Sequence, residues 1–255
     1  MGDEPAQAEA ARIVAPVTLD RRVEEDDAVS HSLAVLATVY HYNHWIFASV
    51  RNHLRATVVE VGAGLGNITQ FLLNRQRVVC LEPFEPYRRH LRKLFEKHLN
   101  VEIYPHAIEK CPNANVPAGE FLSVVCLNVI EHIRDDVDAI ARMRRLLRPG
   151  GRVILLAPAM PCLYGELDRA MGHVRRYTLG SLRRACVRAG LRPTHGRYMN
   201  AVGALGWWWR GCIQRKSRIP ASATRLFDRL VPFVSAAERL LPVLFGQSVL
   251  VVGEA

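Results

Sequence analysis

The sequence predicts an α/β protein: a doubly wound, mainly parallel sheet, with N-terminal helices ahead of it and a helical cap inserted before its last strand. Three observations carry that expectation. From Thr57 onward, short β-branched apolar runs alternate with amphipathic stretches, the rhythm of strand-helix-strand units. The run FLSVVCL, residues 121–127, shows no polar alternation, as a strand covered on both faces requires. Between VVEV and the next amphipathic stretch stands GAGLG, a turn with so little side chain that backbone amides and a helix start can approach a ligand closely.

Each element follows in order. Residues 1–22 read as a polar tail with no apolar periodicity to anchor it. Between Val23 and Leu54, the positions Leu33, Leu36, Val39 and Tyr40, then Trp45, Ile46 and Val50, recur at helical spacing and predict one or two helices. Strands are expected over 57–61, 77–82, 101–104, 121–127 and 152–157, with helices over 68–74, 86–98, 136–147 and 181–189. The helix over 136–147 stops at the Pro149-Gly150-Gly151 turn, and the one over 181–189 at Gly190. From Asn200 to Gly246 the chain is rich in Trp, Leu, Arg and Pro with helical periodicity, too long for a simple connection, before a strand over 248–252 closes the fold. The division expected is lid helices in 1–55, an α/β core in 56–199, a cap in 200–246 and the last core strand in 247–255. Trp207, Trp208 and Trp209 are consecutive and cannot share one helix face, so at least one meets a partner surface, a ligand or solvent.

Bulk composition bounds the function. The chain has 255 residues, 49% of them hydrophobic, enough for one sizeable core with an appended lid. No apolar run is long enough to span a bilayer, and MGDEPAQAEAARIV lacks the basic start and apolar centre of a signal peptide, so a soluble, cytoplasmic protein without integral membrane insertion is expected. Six scattered cysteines form no CxxC pair and no cluster at zinc-ligand spacing, which argues for reduced, buried thiols. The net charge of +10 is uneven: residues 1–27 hold eight acids and three arginines, whereas 169–192 hold seven arginines and no acid. Such asymmetry suits nucleic acid, anionic lipid or an acidic substrate. No interleaving of aromatic and basic residues of the RNA-platform kind accompanies it, so nucleic acid is not the expected partner.

The charge at the glycine turn discriminates among its ligands. Glu60 stands two residues before Gly62, at the strand tip. A pyrophosphate would be repelled there and an ammonium attracted, which favours an amino-acid-bearing nucleoside over a dinucleotide. Glu82 ends the next strand, in VVCLEP, about where an acid bonds a ribose diol in nucleoside-binding folds.

Taken together, VVEVGAGLGNIT, VVCLEP, FLSVVCLNVIEHI and LLRPGGRVILLAP resemble class I S-adenosylmethionine-dependent methyltransferases across about Thr57 to Ala157, with the final strand fitting the same fold. The resemblance implies a seven-stranded Rossmann-like sheet, S-adenosyl-L-methionine as cofactor and S-adenosyl-L-homocysteine as product. It implies that Glu60 with Gly62, Ala63, Gly64, Gly66 and Asn67 holds the methionine part, and that Glu82 binds the ribose hydroxyls with Pro83 and Phe84 on the adenine side. Asn128 and Val129 would border the sulfonium and the acceptor. Where the family commonly places an acid for the adenine amino group, this chain has HAIEK, so recognition falls to backbone groups near Ala107 and Ile108.

In NVIEHI, Glu131 and His132 stand side by side. The segment is similar to one in ubiquinone-pathway O-methyltransferases and small-RNA ribose methyltransferases, where a Glu-x-x-Glu-His arrangement can hold a divalent metal. Here Asn128 replaces the first acid and removes a hard oxygen charge, so no metal is expected. After the fifth strand, PAMPCLYGELDRAMGHVRRYT resembles a subset of bacterial methyltransferases of small-molecule, polysaccharide or natural-product pathways that carry a GHxRRYT loop.

Loops at the carboxyl ends of strands line the ligand crevice of such sheets. His173 is therefore the expected general base, with Tyr177 as helper. Tyr42, Trp45, His132, Tyr164 and Arg176 are the expected acceptor contacts, and His41 and His44 further candidate bases. Phe227, Phe233 and Phe245 in the cap point to a small, largely apolar, aromatic or alkaloid-like acceptor of secondary metabolism. The alternatives are a membrane-surface enzyme for a lipid-linked or polysaccharide precursor, and a non-catalytic partner subunit. The apolar cap also suits a homodimer contact.

Overall fold

The computed structural model describes Val35 and residues 38–217, 220–240 and 243–255. Its strands are β1 (Thr57–Val61), β2 (Arg77–Leu81), β3 (Val101–Tyr104), β4 (Phe121–Leu127), β5 (Leu147–Pro158), β6 (Arg192–Met199) and β7 (Ser248–Glu254). The main helices are α1 (Tyr40–Val50), α2 (Glu85–Leu94), α3 (Asp136–Arg145), α4 (Glu166–Ala170), α5 (Leu179–Arg188), α6 (Ala201–Trp207) and α7 (Ala221–Leu240), with a π-helical stretch over Trp208–Ile213. The tail over 1–22 and the helical positions Leu33 and Leu36 lie outside the described residues.

All seven strands form one sheet in the order β3-β2-β1-β4-β5-β7-β6. β1 to β5 are parallel, and β7 runs antiparallel to both of its neighbours. The order reverses between β1 and β4, which opens a crevice at their carboxyl ends. Strand periodicity divides the apolar residues between two faces. Val59, Val79, Val124, Val153 and Val251 pack with Ile140 and Met143 of α3 and Leu182 and Cys186 of α5. Val58, Val78, Val125, Ile154 and Leu250 pack with Trp45, Ile46 and Val50 of α1, Leu91 of α2 and Val231 of α7.

The helices between β6 and β7 are tied to α1 and to the segment that follows β6 by two acids. Asp228 of α7 accepts the Tyr42 amide at 2.8 Å. Glu238 accepts the amides of Asn200 at 3.0 Å and Ala201 at 2.8 Å. Among the described residues no helix is long and apolar enough to cross a membrane. The cysteines are free, and Cys80, Cys111, Cys126 and Cys186 are buried.

Three local expectations need correction. The helix expected over 68–74 is a short 3-10 turn, Thr69–Phe71. Its polar side chains are committed elsewhere: the Thr69 hydroxyl donates to Glu60 at 2.7 Å, and the Gln70 amide donates to the Asn67 carbonyl at 2.9 Å, in competition with helical bonds. The Pro149-Gly150-Gly151 segment lies within β5, with a register break opposite Phe121 and Ser123. There Gly150 and Gly151 exchange backbone bonds with Ala255 at 3.2 and 2.9 Å. The third correction is β6, which the apolar pattern did not signal: RPTHGRYM is a half-exposed sheet edge, where Pro193 and Gly196 are tolerated.

Candidate active site

The first group of site residues forms where β1 ends. Gly62, Gly64 and Gly66 have φ of 72°, 55° and 82°, a region costly for residues with a Cβ. Space enforces the choice at two of them. A Cβ on Gly62 would lie 2.5 Å from a Val129 methyl, and one on Gly66 2.9 Å from the Phe95 ring. The turn thus runs directly against the second residue beyond the end of β4.

Two buried carboxylates flank this turn. Glu60 accepts the Thr69 hydroxyl at 2.7 Å, and burial pushes its carboxyl up to about 7. Glu82 spans the turn and the β2 exit: one oxygen accepts the Gly64 amide at 2.8 Å and the other the Phe84 amide at 2.9 Å. Burial raises Glu82 as well, against the lowering effect of those amides and of Arg88. Ala63 is buried and its amide reaches the Leu81 carbonyl at 3.3 Å, while Phe84 is exposed. Ala107 precedes a 3-10 turn over Ile108–Lys110 at the exit of β3.

The exits of β4 and β5 carry left-handed backbone at non-glycine residues. Asn128 has φ 55° and Met160 φ 59°. Asn tolerates this conformation, but for Met it costs energy that surrounding contacts must hold. The Asn128 amide is fixed by the Leu156 carbonyl at 2.8 Å and the Met160 amide by the Tyr177 carbonyl at 2.9 Å.

The second group is the loop after β5, organised by Asp168. Its carboxylate accepts four bonds: His173 Nδ1 at 2.8 Å and Arg176 Nε at 2.7 Å on one oxygen, the Gly165 amide and Trp207 Nε1, each at 3.1 Å, on the other. Asp168, His173, Arg176 and Trp207 are all buried. Burial works to raise the Asp168 carboxyl, but His173 and Arg176 outweigh it and hold the group below its ordinary value. Arg176 also donates to the Ala159 carbonyl at 2.8 Å and lies 4.7 Å from the Trp207 ring centroid.

Past His173 stands Glu131, fully buried, with its nearer oxygen 3.9 Å from His173 Nε2. Burial pushes Glu131 up to about 8. The His132 ring meets the His173 ring at 4.9 Å, and burial, then the nearby His173, holds His132 below its ordinary value. A hydrogen bond from the Val174 amide N–H to the Glu131 carbonyl at 2.9 Å clips the two loops together.

The remaining nominated residues are placed as follows. Tyr177 is buried with its hydroxyl on Asp136 at 2.9 Å, and burial raises its pKa. The Tyr164 hydroxyl donates to the His173 carbonyl at 2.7 Å. Trp45 is a core residue against the sheet, and the Tyr42 ring meets Phe227 of α7 at 6.3 Å. His44 stacks on Tyr40 at 5.9 Å, and the His41 ring meets the Tyr40 ring edge-on at 5.8 Å. An apolar cleft of about 140 Å³ is lined by Met160, Leu163, Ala204, Leu205, Trp208 and Phe245. Leu163 and Ala204 also pack with Leu167 and Trp207, so the cleft adjoins the Asp168 network. Of the three consecutive tryptophans, Trp207 is buried and Trp208 and Trp209 are exposed. Sequence reasoning missed Trp207 as a partner of Asp168; its place on the inward face of α6 was the available signal.

A parallel sheet with a switch point, a glycine turn and two acids at the strand exits defines a nucleoside-binding α/β enzyme. Residues 42–195 match the family described as Methyltransferase domain; the chain belongs to that family and is a methyltransferase. A ubiquinone biosynthesis O-methyltransferase of Pseudomonas paraeruginosa (strain DSM 24068 / PA7) is 28% identical over 99 residues, 39% of this chain and 43% of that relative. The matched stretch therefore spans less than half the relative's length. Among solved structures, geranyl diphosphate C-methyltransferase from Streptomyces coelicolor A3(2), in complex with Mg2+, geranyl diphosphate and S-adenosyl-L-homocysteine, aligns with TM-score 0.62 at 14% identity, covering 98% of this chain and 97% of that one. An S-adenosylmethionine-dependent methyltransferase from Mesorhizobium loti aligns with TM-score 0.58 at 14% identity, covering 83% of this chain and 98% of that one. At this identity the likeness is one of fold, and the fold is the Rossmann-like methyltransferase sheet that the sequence predicts.

Proposed function

We propose that this methyltransferase moves a methyl group from S-adenosylmethionine to a small, largely apolar acceptor, with His173 as the general base. The glycine turn takes the methionine part beside Glu60, Glu82 takes the ribose, and Asn128 and Val129 border the sulfonium. The sulfonium is already an activated electrophile, so the protein's work is to align the nucleophile and exclude water. The observation that carries the base assignment is the Asp168–His173 bond at 2.8 Å. A carboxylate with four donors on it can only accept, so Nδ1 donates to it, and in the neutral imidazole Nε2 then offers its lone pair to the acceptor. The apolar cleft beside this network supports an acceptor that is mostly hydrocarbon or aromatic.

The test is a screen of aromatic and alkaloid-like hydroxyl and amine acceptors with labelled S-adenosylmethionine, reading product mass, followed by His173→Ala. A drop in kcat on the order of 10²–10⁴-fold, with cofactor affinity within about twofold, is expected for loss of a base. Wild-type activity in His173→Ala would remove the base assignment, and failure of S-adenosylmethionine to bind the wild type would remove the whole reading.

A further inference from the structure

α7 is apolar on two faces, and the fold packs only one of them. At about 100° per residue, Phe227, Val231 and Val234 share the face that packs with α1 and the sheet. Leu226, Leu230, Phe233, Ala237 and Leu240 form a second stripe beside it, about 80° wide, and every one of them is exposed. The next segment repeats the division. Ala204 and Trp207 are buried with Leu163 and Leu167, whereas Val202, Leu205, Trp208, Trp209 and Ile213 are exposed. Of the fifteen exposed large hydrophobic side chains among the described residues, eleven fall within 202–245, so this is a patch and not the usual scatter. Glu238 holds the end of α7 at the start of α6 through the Asn200 and Ala201 amides. Phe245, beyond α7, borders one cleft with Leu205 and Trp208, which joins the two parts of the patch.

Charge decides what covers it. Residues 200–246 hold seven Arg and Lys and only two acids, Asp228 and Glu238, and both acids accept backbone amides of the fold. Arg215, Lys216, Arg225, Arg229 and Arg239 are exposed. On α7 the helical period puts Arg225, Arg229 and Arg239 along the flank of the exposed stripe that lies away from the packed face. A second copy of this chain on the same face would set these cations against one another. An anionic bilayer satisfies both features: acyl chains take the apolar side chains and headgroups take the arginines. Indoles such as those of Trp208 and Trp209 suit the boundary between the two.

We infer that α6, the π-helical stretch and α7 dock this enzyme on the surface of an anionic phospholipid membrane, lying in the interface without crossing it. Leu205, Trp208 and Phe245 are exposed and also line the apolar cleft that adjoins the Asp168 network, so the mouth of the cleft lies on the docked face. The docking surface stands on its own. The acceptor class it selects rests on the methyl-transfer reading: an amphiphile whose alkyl tail stays in the bilayer while its nucleophile reaches His173.

The experiment is flotation of the full chain with vesicles of phosphatidylcholine, with and without about 30% phosphatidylglycerol, at about 0.1 and 0.5 M salt. Expected is binding to the anionic vesicles that weakens at least about tenfold in high salt and on phosphatidylcholine alone. Leu226→Ser/Leu230→Ser and Arg225→Gln/Arg229→Gln each weaken it by at least about tenfold, with circular dichroism reporting that each variant is folded and S-adenosylmethionine affinity within about twofold of wild type. Leu99→Ser, at an exposed leucine away from the patch, leaves vesicle binding unchanged. Absence of wild-type binding to anionic vesicles overturns the docking surface, as does unchanged binding in the folded leucine variant. A wild-type dimer in sedimentation velocity that the leucine variant splits, without vesicle binding, gives the face to a second copy and overturns it too. For the acceptor class, a compound from the screen is made in a tailed form, held in anionic vesicles, and in a short soluble form. Wild type should methylate the tailed form at least about tenfold faster than the leucine variant, and the two should methylate the short form equally; equal rates on the tailed form overturn the amphiphile. Vesicle binding without any S-adenosylmethionine binding would instead overturn the methyl-transfer reading and leave the docking surface standing.

Discussion

The indole nitrogen of Trp207 donates to the carboxylate of Asp168 at 3.1 Å, joining two residues 39 positions apart. Asp168 belongs to the loop after β5, and Trp207 to the helical segment before β7. The bond makes that segment part of the wall behind His173, so a change in the helices reaches the imidazole through a single carboxylate.

Trp207→Phe tests this coupling. It removes the donor and leaves one Asp168 oxygen short of a partner in a buried place, a loss of about 1–3 kcal/mol. Denaturant unfolding should show that loss. S-adenosylmethionine affinity should not change, while kcat falls because the His173 ring is held less firmly. Unchanged stability and unchanged kcat would mean that the bond carries nothing.

Asp168→Asn should be more damaging. The Arg176 side chain is fully buried against Asp168, and removal of one member of such a pair leaves an uncompensated charge, at about 3–5 kcal/mol. The amide also offers donors toward the donors of His173 and Arg176. A loss of unfolding free energy below about 1 kcal/mol in urea denaturation would contradict the network.

Gly62→Ala and Gly119→Ala separate conformation from space. Both glycines have positive φ, 72° and 71°, but a Cβ on Gly119 meets nothing within 4 Å whereas one on Gly62 strikes Val129. Gly119→Ala should therefore cost about 1–2 kcal/mol, the left-handed penalty alone. Gly62→Ala should cost more by about 1–3 kcal/mol of overpacking and weaken S-adenosylmethionine binding by more than about tenfold. Equal stability losses at the two positions would refute the steric account of the turn.

Glu60 gives a pH dependence with a defined sign. Its carboxyl is pushed up to about 7 by burial, against an ordinary 4.5. Between these values the folded ligand-free protein binds the extra proton, so stability falls as pH rises from about 4.5 to 7, by up to about 3 kcal/mol, and levels off above. The raised Glu82 acts in the same direction. A cationic ligand needs the ionised form, so its affinity should increase by about tenfold from pH 6 to 8. Unfolding and binding measured at both pH values, in wild type and in Glu60→Gln, check this; an affinity slope that persists in Glu60→Gln would assign the titration elsewhere.

The parts of this protein that were legible in the sequence are those with a local physical signature. β1 and β4 were bounded correctly because each is a mostly apolar run closed by a turn. β6 carries no such run, since an edge strand in contact with one neighbour has little apolar surface to bury. The short 3-10 turn after the glycines was misread as a helix because Thr69 and Gln70 spend their side chains on Glu60 and Asn67. In the site, His173 was nominated from its place after β5, and its bond to Asp168 lies within the same loop. Glu131 and His132 meet His173 from another loop, and a meeting between loops leaves no period in a sequence.

β5 and β6 never touch; β7 lies between them, and β6 joins the sheet through β7 alone. Until residues 248–254 slide in between them, β6 has no partner strand and β5 keeps one edge of bare backbone groups. An antiparallel peptide of that sequence, added to a chain shortened before residue 248, would be the natural key to the gap.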